Sequence, residues 1–173
     1  MGRAVWPCGK AVSRPKLGEV FAQHTVYLPY RSRRLVALLS APGHSWTIAL
    51  DGNGHEHLAR VGVRIGQVPL YKHVKLTLGQ VPEVVRGDSV MLPVSWEAVG
   101  GPPLFPRMEG ILHINPEGDE MARLTLNACY EPPLGTLGEV LDRALLRHLA
   151  QATIEDFVVR LAASLEAELA VFA

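Results

Sequence analysis

Two adjacent prolines late in the chain leave little freedom to the segments on either side. The run Met121 to Tyr130 alternates apolar and polar residues and stops at Glu131-Pro132-Pro133-Leu134-Gly135. Each proline lacks an N–H and has a fixed φ, so neither a strand ladder nor a helix continues through the pair. Thr136 and Glu139 follow at the spacing of a capping box, in which each side chain satisfies an orphan backbone donor. Leu137, Leu141, Leu145, Leu149 and Ala152 then recur at helical spacing, and Ile154, Phe157, Leu161 and Leu165 extend the pattern. A helix of this extent is on the order of 50 Å long. It has to lie across something wide and apolar, and the strands before it supply that surface.

Those strands are read from alternation. Val20, Ala22, His24, Val26 and Leu28 alternate with Phe21, Gln23, Thr25 and Tyr27, and Pro29 ends the run. Leu35, Val36, Leu38 and Leu39 suggest short helical turns stopped by Pro42-Gly43. Trp46 to Leu50 reads as a short strand before the turn Asp51-Gly52-Asn53-Gly54. Four better strands place Ala59, Val61, Val63 and Ile65, then Leu70, Val74, Leu76 and Leu78, then Val90, Leu92, Val94, Trp96 and Ala98, then Met108, Leu112 and Ile114 on one face. The last strand turns Leu124, Leu126, Ala128 and Tyr130 inward and Arg123, Thr125 and Asn127 outward. One buried and one wet face is the habit of antiparallel sheets, so the class is α+β. Residues 1–17 read as a flexible leader and 18–173 as a single domain.

Composition narrows the partners. Lys+Arg 17 balances Asp+Glu 17, so the basic surface that nucleic-acid binding needs is not evident. The dense cluster Arg31, Arg33 and Arg34 reads as a solvated helix face, with an anion or headgroup contact as the sharper alternative. Cys8 and Cys129 are too few for a disulfide framework and read as free thiols. No apolar run reaches the roughly 18–20 residues that span a bilayer, and no signal segment is evident. A cytoplasmic, reducing location follows by elimination.

Beyond topology, the residues Trp96-Glu97-Ala98, Leu104-Phe105-Pro106, Gly110-Ile111-Leu112 and Leu124-Thr125-Leu126 resemble a bacterial branch of the START-like, or SRPBCC, superfamily. Tyr130-Glu131-Pro132-Pro133-Leu134-Gly135, Gly138 and Leu141-Asp142-Arg143 carry the likeness into the long helix. This superfamily includes polyketide cyclases and lipid-transfer domains. The resemblance implies a helix-grip fold: a curved antiparallel sheet of six to seven strands wrapped around a long C-terminal helix, with short helices after the first strand. It also implies an apolar cavity between sheet and helix. The residues expected to line it are His24, Lys72, Trp96, Met108, Leu112, Leu126, Tyr130, Leu145 and His148.

Each of these has a plainer reading. His24 fits a core imidazole with a satisfied hydrogen bond, and Lys72 a side chain that snorkels to water. Lining a cavity and filling a core predict the same pattern for Trp96 and Tyr130. His148 stands beside the stripe of Leu141, Leu145 and Ala152, where a solvent-flanking position also fits. His44, His55 and His57 lack the further ligands a metal site needs, and no cofactor is expected. The turn Asp51 to Gly54 resembles a calcium loop only superficially, because His55 and Glu56 occupy positions that need other residues. Glu97 and Glu109 point outward by parity, and no nucleophile elbow, phosphate loop or dinucleotide fingerprint is present. The expected function is binding of a small hydrophobic molecule of lipid, polyketide or isoprenoid type. A cyclase or dehydratase using His24, Lys72 or Tyr130, and a partner or homodimer module using the outer sheet face, are the alternatives. Whether the chain is an enzyme stays open at this point.

Overall fold

A computed structural model describes residues 20–40, 48–49, 56–65, 68–79, 89–100, 107–131 and 143–171 of the chain; at 48–49, 63–65, 68–70, 131 and 143–146 it describes the backbone alone. Strand β1 (Val20–Leu28) leads into helix α1 (Ser32–Leu39) and the two-residue strand β2 (Ile48–Ala49). Then come β3 (Glu56–Ile65), β4 (Val68–Leu78), β5 (Val90–Ala98), β6 (Arg107–Glu117), β7 (Met121–Glu131) and helix α2 (Arg143–Val171). The seven strands form one sheet in the order β1-β7-β6-β5-β4-β3-β2. Every neighbouring pair is antiparallel. The proline corner, the capping box and the turn at 51–54 lie outside the described residues.

Alternation converts directly into burial. Ala59, Val61, Val74, Leu76, Leu78, Val90, Leu92, Val94, Met108, Leu112, Ile114, Leu124, Leu126 and Ala128 are all buried on one face. Between them on the other face stand Phe21, Tyr27, Met91 and Met121, all exposed. Glu97 and Glu109 are exposed, as their parity requires. At the β6–β7 turn Gly118 holds φ at 70°, a conformation that costs a side-chain-bearing residue more. Gly110 is needed for a different reason: a Cβ there would stand 2.5 Å from the Asn127 carbonyl oxygen of β7.

Helix α1 buries Ser32, Leu35 and Leu39 and packs against β6, β7 and α2. Its first turn is tied to the β6–β7 turn by a salt bridge from Arg31 to Glu120, which lowers the Glu120 carboxyl pKa through that hydrogen bond. Arg34 stands over the Tyr30 ring at 5.7 Å. Two arginines of the basic cluster are thus spoken for locally.

Helix α2 has 29 residues, about 43 Å at 1.5 Å per residue. It makes close backbone contact with β1 and β7 at one end of the sheet order and with β3 near the other. One straight helix touches both ends only if the sheet curves round it, which is the gripping geometry. Ala150, Thr153, Ile154, Phe157, Val158, Leu161, Ala162, Leu165 and Leu169 form its buried stripe. Leu149 and Ala152, expected within the stripe, are half-buried at its margin. The stripe is broader than a single i, i+4 row because the helix is enclosed from two sides.

The edge of β1 is closed by α2 itself. The Gln151 amide donates to the Gln23 carbonyl oxygen at 2.8 Å, and the Gln23 N–H points back to the Gln151 amide oxygen at 3.4 Å. A side-chain amide so replaces a missing strand partner and blunts an open edge. Cys129, half-buried on the outer side of β7, is disulfide-bonded, which corrects the expectation of free thiols. Disulfides are rare in reducing compartments, so this bond removes one support for a cytoplasmic location. Cys8 lies outside the described residues. Among the described residues, no helix is long and apolar enough to cross a membrane.

Candidate functional site

Register, rather than parity, assembles the site. Leu76 pairs with Trp96, Trp96 with Met108 and Met108 with Tyr130, so four strands contribute one row across the inner face. His57 extends the row through Leu76 and is also buried. Four residues along, Leu92, Leu112, Leu126 and His24 form a parallel row. Between the two runs a row of smaller residues, Val94, Gly110, Ala128 and Ala22. The small row lies where α2 approaches β1 and β7. Over β4, β5 and β6 the helix backbone stands farther off, and large side chains occupy the gap.

The gap holds an aromatic cluster. Trp96 meets Phe157 of α2 at 5.0 Å between ring centroids, with the planes tilted by 54°. It meets Tyr130 edge-on at 6.1 Å and 68°, the arrangement that the ring quadrupoles favour. Trp96 is only 1% exposed and Tyr130 only 2%. Yet neither the Trp96 indole N–H nor the Tyr130 hydroxyl has a hydrogen-bond partner. The hydroxyl lies beside Thr153, whose own proton is committed to the Leu149 carbonyl at 2.7 Å. That neighbour offers a lone pair without the geometry of a made bond. Burial pushes the Tyr130 phenol pKa well above its ordinary value, only partly offset by Thr153, so the group is a donor across the physiological range. A buried donor left without an acceptor costs about 1–3 kcal/mol. The fold tolerates two of them under one helix.

The expected lining residues are distributed unevenly. Trp96, Met108 and Tyr130 share the first row, and Leu112 and Leu126 lie in the second, all buried. His24 stands in the second row opposite Leu126 and is half-buried. Lys72 is half-buried and pairs with Val61, four residues along β4 from Leu76 and so roughly 13 Å from the aromatic row. His148 is exposed on α2, and the Leu145 side chain lies outside the described residues. Parity places Lys72 on the inner face but does not say how far along it. Two contributors escaped the sequence reading of the site, Phe157 and Thr153. The available signal was their four-residue separation, which puts both on one face of the helix.

The opposite side of the same sheet is built otherwise. Gln23, Thr25, Tyr27, His113, Asn115, Arg123, Thr125 and Asn127 surround an open concavity of about 410 Å³ over β1, β7 and β6. The Thr25 and Thr125 hydroxyls, directly opposite in register, are hydrogen-bonded at 2.9 Å. Partial burial lowers the His113 imidazole pKa and favours its neutral form. Arg123 pairs with Glu117 at 3.5 Å. Among the described residues no group of three or more His, Cys, Asp or Glu side chains is arranged to hold a metal ion; His44 and His55 lie outside them.

The architecture is that of known proteins. A conserved protein from Geobacillus kaustophilus superposes with a TM-score of 0.52 at 17% identity, covering 85% of this chain and 95% of its own. The Zhui aromatase/cyclase from Streptomyces sp. R1128 gives 0.52 at 14% identity, with 87% and 93% covered. A START superfamily protein from Mycobacterium smegmatis gives 0.50 at 15%, with 84% and 97% covered. These likenesses, all below 20% identity, show that the chain has the helix-grip fold of START-like proteins. No family model and no curated protein sequence matches it.

Proposed function

We propose that this protein binds a small hydrophobic molecule between the inner sheet face and α2. The observation that carries this reading is the pair of unpartnered donors, Trp96 Nε1 and Tyr130 Oη, set in a largely apolar row where the helix stands off from the sheet. Buried donors nearly always find acceptors, and a pair without them at one spot suits a ligand that brings its own. The gap is filled by Trp96, Met108 and Phe157, so binding displaces side-chain packing rather than occupying a standing void. The fold supports the reading, since it is shared with an aromatase/cyclase. Native mass spectrometry of protein purified without detergent, followed by displacement of an apolar dye with a lipid and polyketide panel, tests it. Uptake of at least one apolar compound at a one-to-one ratio is expected. A protein that takes up none of them, dye included, overturns the proposal.

A further inference from the structure

We infer that the ligand is uncharged and carries a hydrogen-bond acceptor, such as a ketone, ester or quinone oxygen, that is read by Trp96 Nε1 with Tyr130 Oη beside it; this rests on the binding reading above. An indole N–H can only donate. The Tyr130 hydroxyl is held protonated by burial, so it too is available as a donor. An acid headgroup would bring a negative charge into this row, where desolvation costs several kcal/mol, and among the described residues the row holds no lysine or arginine, its one titratable base being His57 two strands from Trp96. Lys72, the inward lysine of the sheet, pairs with Val61 and lies roughly 13 Å along the strand. A pure hydrocarbon would leave both donors as they are now, buried and unmet. An acceptor oxygen satisfies them with no compensating charge. The ring that such a ligand must move aside is Phe157, packed 5.0 Å from Trp96.

Three probes of similar size separate these chemistries: benzophenone, diphenylmethane and diphenylacetate. Dissociation constants are measured by titration calorimetry on the full chain, with the wild type compared against Trp96→Phe, Tyr130→Phe and Phe157→Ala. Benzophenone is expected to bind about tenfold tighter than diphenylmethane, the value of one well-made buried hydrogen bond, and tighter still than diphenylacetate. Trp96→Phe should abolish the preference for the ketone over the hydrocarbon, while Tyr130→Phe, nearly isosteric and so safe for folding, should reduce it. The Trp96 indole N–H resonance should move downfield with benzophenone and stay put with diphenylmethane. Phe157→Ala opens apolar space and should strengthen both uncharged probes, as dry engineered cavities take up aromatics. Equal binding of all three probes, or a ketone preference that survives both Trp96→Phe and Tyr130→Phe, overturns the inference while leaving the binding function intact. Binding of no probe by either the wild type or Phe157→Ala overturns both.

Discussion

The two faces of this one sheet solve opposite problems with the same strands. On the outer face polar groups are shared among neighbours: Thr25 with Thr125, Arg123 with Glu117, Arg107 with Glu109 at 3.2 Å. On the inner face most side chains are apolar, and two of the polar tips that intrude, Trp96 Nε1 and Tyr130 Oη, go unmet. The face with ready access to water has paired its polar groups. The face without it has left two donors unmet, where the helix backbone stands farther from the sheet. That inversion is the reason the inner row, and not the open outer concavity, is assigned as the candidate site.

The contrast can be broken most forcefully with a charge. Leu112 is buried between Leu92 and Leu126, so Leu112→Asp should cost about 4 kcal/mol or more, enough to abolish cooperative folding in urea titrations. Asn127→Asp, one strand away on the outer face, should stay within about 0.5 kcal/mol of the wild type. Equal effects would mean the two faces are not the different environments described. Next in size, Gly110→Ala should destabilise by about 1–3 kcal/mol, because its methyl group would meet the Asn127 carbonyl of a paired strand. A thermal midpoint unchanged by this substitution would show that β6 and β7 can separate freely.

Removal of single polar groups sharpens the contrast further. Thr125→Val deletes a made hydrogen bond and leaves Thr25 without its partner, at a cost of about 1 kcal/mol. Tyr130→Phe deletes an unmet hydroxyl and should be neutral or slightly stabilising in the ligand-free protein. Denaturation midpoints moving in the same direction for both would count against the assignment of Tyr130 as an unpaired donor. The smallest effect concerns pH. The His113 pKa is lowered below its ordinary value of 6.5 in the folded state, so near and below that pH the unfolded chain binds a proton that the native chain resists. Stability should therefore fall as pH drops through about 6.5 and level off below the folded-state value, and His113→Gln should flatten that part of the profile. A profile identical in wild type and variant would show that His113 is as free as in the unfolded chain.

Much of this was open to inspection in the sequence, and the reasons are local. Alternation in β7 assigns Leu124, Leu126, Ala128 and Tyr130 to one side because side chains in a strand repeat every two residues. The same rule turned Glu97 and Glu109 outward and removed them as a carboxylate pair. The helix pattern after the proline corner demanded a broad apolar surface, and the sheet is that surface. Lys72 and His148 show where the rule stops. Parity names a face, not which of its rows meet, so Lys72 falls on the face of Leu70, Val74 and Leu76 although register pairs it with Val61, in a different row from Trp96 and Tyr130. The phase of a long helix cannot be set from apolar spacing alone when its flanks are also apolar, and α2 turns Ala150, Thr153 and Phe157 inward while His148 faces solvent.

What the chain determined by itself is therefore the set of elements and the apolar side of each, since periodicity, proline geometry and turn chemistry act over a few residues. Which side chains meet was decided only in the folded structure. Trp96, Tyr130 and Phe157 come from β5, β7 and α2, and their contact depends on strand register, sheet curvature and helix rotation together. The two unmet donors arise in the same way. Whether an N–H or O–H finds an acceptor is a property of the space around it, and that space exists only once distant segments have closed over one another.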